Sequence, residues 1–195
     1  MTNSVAIAVV TAIATLTLSA CASDTAQDTG TAEMATTETA TAEMATGAPF
    51  TDSDLMFAEM MIPHHEQAIE MSELAVNLSQ DAEVVALARE ILAAQAPEIE
   101  QMKTWGNLNL EAHAGHTMMG MLTPDQMSAL SAATGSAFDR LFLEGMIAHH
   151  EGAIQMAQMV MQSPNAEARK LGEEIIASQT AEIELMQKML AAREK

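Results

Sequence analysis

Aromatic residues, basic residues and cysteine are all scarce in this 195-residue chain, which has four Phe, one Trp, no Tyr, one Cys and eight Lys plus Arg against 27 Asp plus Glu. Each scarcity excludes something. The single cysteine, Cys21, allows no intramolecular disulfide, so a fold outside the cytosol must hold by packing alone. A formal charge of −19 excludes a nucleic-acid partner, whose phosphates need clustered Lys and Arg, and instead concentrates cations around the chain. With aromatics so few, 18 methionines take many of the apolar positions. The thioether fills irregular cores, and it also ligates soft metals without having to lose a proton.

The one sustained apolar run, residues 5–18, is too short to span a bilayer as a stable helix. The Leu18-Ser19-Ala20-Cys21 that follows supplies the small residues of a signal cleavage site and resembles the bacterial lipoprotein processing box, although no Lys or Arg precedes the run. That resemblance implies a signal peptide over 1–20, lipidation of Cys21, and a lipid-anchored, periplasmic place at the cell envelope. Residues 21–48 are rich in Thr, Ala and Glu and lack apolar periodicity, which predicts a flexible tether.

Residues 49–195 contain a duplication. Met61-Ile62-Pro63-His64-His65-Glu66-Gln67-Ala68-Ile69-Glu70-Met71 returns as Met146-Ile147-Ala148-His149-His150-Glu151-Gly152-Ala153-Ile154-Gln155-Met156. A second block, Gln95 to Met102, returns as Gln179 to Met186. A unit that cannot bury its own apolar face needs its copy, so the repeats 51–105 and 136–193 should share one core. From Thr51 the apolar residues recur with period 3.6, and Thr51 or Ser53 should cap the helix. Pro63 predicts a kink in it. Ser79 should cap the next helix, and Ser163-Pro164 should start the last one. Between the repeats, Thr123-Pro124-Asp125-Gln126 reads as the capping box of a short helix. Two antiparallel hairpins of long helices joined by a long connection predict an all-α fold, the ferritin-like four-helix bundle.

Adjacent histidines on a helix point about 100° apart, so His64 and His65 must do different jobs, as must His149 and His150. The helical wheel puts His64 and His149 in the middle of the apolar faces and His65 and His150 on the flank. There Met61 precedes His65 by four residues and Met146 precedes His150 likewise, so each pair could offer a thioether and an imidazole to one soft cation. Met60 and His64 form such a pair in the first copy only, where the counterpart of Met60 is Gly145. Gln95, Glu98, Gln179 and Glu182 fall among apolar residues and need partners, for which the inward histidines are the obvious donors. Two readings stay open for His64, His149, Glu98 and Glu182: a structural hydrogen-bonded network, or metal ligation. The insert 106–122 is the denser signal, with His113, His116, Met118, Met119 and Met121 as soft or borderline donors in one short stretch. Such donors favour Cu(I) or Ag(I) over zinc.

The paired Met-Ile-x-His-His-Glu-x-Ala-Ile-x-Met blocks, each followed by Gln-x-x-Glu-Ile-x-x-Met, resemble the exported bacterial family catalogued as domain of unknown function three-hundred-and-five. The resemblance implies a ferritin-like bundle, copper or silver binding linked to metal tolerance in characterised relatives, and His64, His65, His149 and His150 at the motif positions. The expectation is a non-enzymatic protein that sequesters Cu(I), with Ag(I) or Cu(II) as further cargo, or hands it to another copper-handling envelope protein. One rival is a di-iron or di-manganese oxidase, which usually carries Glu-x-x-His motifs. The residues three before the six histidines are Met61, Ile62, Leu110, His113, Met146 and Ile147, and none is Glu. The other rival is a scaffold whose polar core fixes register and binds no metal.

Overall fold

Thr51 opens the first helix with a reciprocal cap: its hydroxyl accepts from the Asp54 amide, and the Asp54 carboxylate accepts from the Thr51 amide. Two amides that the helix cannot pair are thereby satisfied. The computed structural model describes residues 47–113 and 117–193. In it, α1 runs over Asp52–Leu78 and stays helical through Pro63. α2 spans Ala82–Lys103 and likewise contains Pro97. Its cap is Asp81, whose carboxylate accepts from the Glu83 and Val84 amides, rather than Ser79, the cap expected from the sequence. A carboxylate there also meets the positive end of the helix dipole. Ser79 instead closes α1 and donates to the Asp139 carboxylate at 2.6 Å.

The connection holds a 3-10 turn, Leu110–His113, and α3, Pro124–Ala132, which opens on the expected Thr123 and Gln126 capping box. α4 spans Gly135–Ala157 and runs into a 3-10 turn, Gln158–Val160. α5 spans Ala166–Arg193. Its first amides are held by Asn165, whose side-chain oxygen accepts from Glu167 and Ala168, so Pro164 lies before the helix and not at its first position. All regular structure among the described residues is helical, and none of those helices is long and apolar enough to cross a membrane.

α1 packs on α2, α4 on α5, and α1 on α4. The ends fix the directions. Asp54, at the start of α1, accepts from the Ser163 hydroxyl beyond the end of α4, while Ser79, at the end of α1, bonds Asp139 at the start of α4. α1 and α4 are therefore antiparallel. α2 and α5 run against each other in the same way, with Asp81 paired to Arg193 at one end and Trp105 and Gln101 both donating to Glu167 at the other.

This arrangement divides the core. One apolar cluster holds Met71, Leu87, Ile91, Phe138, Phe142, Met146 and Met186; the other holds Phe57, Met61, Ile62, Met102, Trp105, Leu171 and Ile175. Along α1 the change from the second cluster to the first falls between Ile62 and Ala68, and along α4 the reverse change falls between Met146 and Ala153. His64, His65, His149 and His150 occupy those gaps. On α2 and α5 the same level is marked by buried Gln95 and Gln179. A fully buried Phe in either cluster contributes about 3 kcal/mol or more against truncation, so the two apolar segments can hold the helices together around a polar middle.

Candidate metal centre

All four histidines of the middle layer are completely buried. His64 on α1 and His149 on α4 face each other across the helix interface, their ring centroids 3.7 Å apart and their planes tilted by 39°. His65 turns to α2, where its Nε2 lies 2.8 Å from Glu98 Oε2, and His150 turns to α5, where its Nε2 lies 2.6 Å from Glu182 Oε2. The second neighbour of each helix buries the flank that carries His65 and His150, and this corrects one expectation. The carboxylates pair with these outer histidines and not with His64 and His149, which corrects a second.

The bonds place protons. A carboxylate accepts, so Nε2 of His65 and of His150 carries a proton, and Nδ1 faces away from the carboxylate. His64 donates from Nε2 to the Met119 carbonyl at 3.1 Å, with the same result. Nδ1 of His64, His65 and His150, both ring nitrogens of His149, both amide atoms of Gln95 and the Gln179 oxygen have no hydrogen-bond partner. These are eight of the ten such buried side-chain atoms among the described residues. An unsatisfied buried polar group costs about 1–3 kcal/mol, so a layer this incomplete is a poor structural network. A histidine whose far nitrogen is tied to a carboxylate is instead the usual arrangement for a metal ligand, since the pairing orients the ring and raises its basicity.

Electrostatics point the same way. Burial pushes the pKa of His64 down to about 3, helped by the neighbouring His65. Burial also takes His149 well below 6.5, with His64 the next cause. The His64 backbone weakly opposes that shift, without forming a hydrogen bond of good geometry to the ring. Both rings are neutral at pH 7, and no proton has to leave before they can donate.

The thioethers of Met61 and Met146, each one turn before an outer histidine, are completely buried. Met61 belongs to one apolar cluster and Met146 to the other, so they border the layer from opposite sides. Met60 is half-buried and packs against the Met61 cluster. Among the described residues no three His, Cys, Asp or Glu side chains converge on a common point.

Among the described residues, the insert meets this layer through the Met119 backbone carbonyl. It supplies a cover. Residues 117–122 cross α1 and α4 as a strap held by the His64 bond to Met119 and by Gln67, whose amide nitrogen donates to the Leu122 carbonyl at 2.9 Å and whose oxygen accepts from the Leu122 amide at 2.7 Å. A Cβ on Gly152 would overlap the Met119 carbonyl, and one on Gly120 would overlap the Ala148 carbonyl. Gly145 sits against Leu122, where a Cβ would be 3.1 Å from its nearest methyl. Met119 is exposed, Met118 and Met121 are half-buried, and the His113 Nε2 lies 3.6 Å from a Glu59 oxygen. His116 and Cys21 lie outside the described residues. Gln67 was not singled out from the sequence, although its replacement by Gly152, one of three mismatches between the two blocks, was a signal.

The Cu(I)-bound form of CopM is 35% identical to this chain, with a TM-score of 0.61 over 75% of this chain and 99% of that one. CopM in its Cu(II)-bound form is 37% identical, with a TM-score of 0.61 over 73% of this chain and 97% of that one. A DUF305 protein of Streptomyces coelicolor, presumed secreted, is 30% identical, with a TM-score of 0.66 over 73% of this chain and 94% of that one. A comparison with functionally curated proteins gives no match. Residues 54–190 match the family described as domain of unknown function (DUF305), and the chain belongs to that family.

Proposed function

We propose that this chain is a non-enzymatic metal-binding protein of the cell envelope, built as a ferritin-like bundle of two duplicated hairpins, with copper as its cargo. The observation that carries the reading is the buried layer of imidazoles with unpartnered nitrogens, of which His64 and His149 are neutral and His65 and His150 are backed by carboxylates. Nitrogen and thioether donors suit Cu(I) and Ag(I), which accept few ligands, and Met61 and Met146 border the layer where they can complete such a set. The relatives captured with Cu(I), Cu(II) and Ag support this choice of cation. Sequestration, or transfer to another copper-handling protein, is the role that such a buried donor set would serve. An anchor at Cys21 would keep that cargo at the membrane surface, and the mass of the mature chain tests it.

Purified protein challenged with Cu(I) against a chromogenic chelator, followed by metal analysis, tests the function. Tight copper without iron is expected. Stoichiometric iron or manganese together with oxygen consumption would establish the oxidase instead, and a protein that resists loading would leave only the scaffold.

A further inference from the structure

The connection between the repeats forms a cleft against α1, lined there by Pro63, Gln67 and Glu70, that the histidine layer does not use. It has a volume of about 530 Å³ and brings together donors from three separate elements: His113 from the 3-10 turn, Met118 and Met121 from the strap, and Met127 from α3. Glu70 lines it as well, and Glu59 stands beside His113. Met119, the strap's exposed methionine, does not line it. Met127 lies outside the dense donor stretch in the sequence and joins it only through the fold.

We propose that this cleft is a second, solvent-open site for a monovalent soft cation, Cu(I) or Ag(I), ligated by the thioethers of Met118, Met121 and Met127 with the His113 imidazole. Thioethers are neutral and polarisable, so they bind soft monovalent ions and discriminate against the hard divalent ions that the acidic surface would otherwise gather. Glu70 and Glu59 supply the negative charge that offsets the cation without being soft ligands themselves. Met127 and Met118 each pack in part against an apolar cluster, but Leu fills similar volume with fewer rotamers to fix, so packing alone does not call for methionine at all three positions. The cleft shares no donor with the histidine layer, so each site stands or falls separately.

Silver titration of the full chain by native mass spectrometry tests it. Replacing Met118, Met121 and Met127 together by Leu should remove about one bound Ag(I) per chain, because three of the proposed soft donors disappear. The His65→Gln, His150→Gln double variant should keep that ion while weakening the buried site. A triple variant with wild-type stoichiometry would overturn the proposal. The wild-type protein provides a check that needs no variant to fold: with methionine methyls labelled, Met118, Met121 and Met127 should shift together on silver addition while Met56 stays in place. Resonances of those three that remain unmoved at saturation would equally overturn it.

Discussion

The two copies of the duplicated hairpin carry the same residues where they face the axis, with only His64 bonded to the strap, and different residues where they face the connection. On the axis, His65 with Glu98 and His150 with Glu182 repeat one another, and His64 meets His149 as its own counterpart. On the outer face, Met60, Pro63 and Gln67 of the first copy correspond to Gly145, Ala148 and Gly152 of the second. The strap explains the difference. It needs a smooth track on α4, which the two glycines and the alanine provide at one helical face, and a grip on α1, which Gln67 provides. A duplicated histidine layer thus carries a single cover, and the sequence mismatches record where that cover lies.

The largest expected effect tests the equality of the axis. His64 falls from 6.5 to about 3 on folding and His149 also falls well below 6.5. As pH drops below 6.5 the unfolded chain takes up protons that the folded chain refuses, so stability is complete above 6.5 and is lost on the way down toward 3. Each histidine contributes up to about 1.4 kcal/mol per pH unit in that window. Urea denaturation of metal-free protein between pH 7 and pH 4 should show this, and His149→Leu should remove about half of the slope. A flat profile would mean that the layer admits water and that its rings are not the neutral pair described above.

The inequality of the outer face is tested next by Gly152→Gln, which writes the first copy's residue into the second. Replacing a helical glycine gains about 1 kcal/mol of propensity. Here the new side chain meets the Met119 carbonyl, and overpacking against backbone costs about 1–3 kcal/mol, so net destabilisation with release of the strap is expected. Increased cleavage in limited proteolysis near residues 117–122 would register the release. A variant as stable and as resistant as wild type would show that the strap can shift along the track.

Returning to the axis, Glu98→Gln and Glu182→Gln should each weaken Cu(I) binding by about 10–100-fold, the usual effect of losing the group that orients a ligating histidine. Chelator competition should give similar losses for both. A tenfold disparity would break the equivalence of the copies and assign the metal to one side of the layer.

Helix positions were legible because caps and a 3.6 period are local properties, and Thr51, Thr123 and the repeat itself carry them. The shift from Ser79 to Asp81 also has a local cause, a stronger cap two residues on. The roles of the histidines were not legible. A helical wheel assigns one buried face, yet α1 has α2 on one side and α4 on the other, so two adjacent histidines are both buried and face different partners. Whether Glu98 meets the inner or the outer ring depends on interhelix geometry, which no periodicity records. His113, Met118 and Met121 were visible as a donor-rich stretch, but its separation from the histidine layer and its meeting with Met127 depend on the path of the connection.

The smallest effect isolates the grip itself. Gln67→Ala removes two hydrogen bonds to Leu122, each worth about 0.5–1.5 kcal/mol net. Gln67 is only half-buried, so water can take over part of the role, and a loss of about 1 kcal/mol in metal-free protein is expected. Global stability alone would not distinguish a loosened strap from a weakened helix. The Leu122 amide does, because its proton is donated to the Gln67 side chain and to no backbone partner among the described residues. Hydrogen exchange at Leu122 should accelerate in the variant while the amides within α1 and α4 keep their protection. Retained protection at Leu122 would mean that the glycine track and the His64 bond hold the strap without Gln67, and the asymmetry between the copies would then lie on α4 alone.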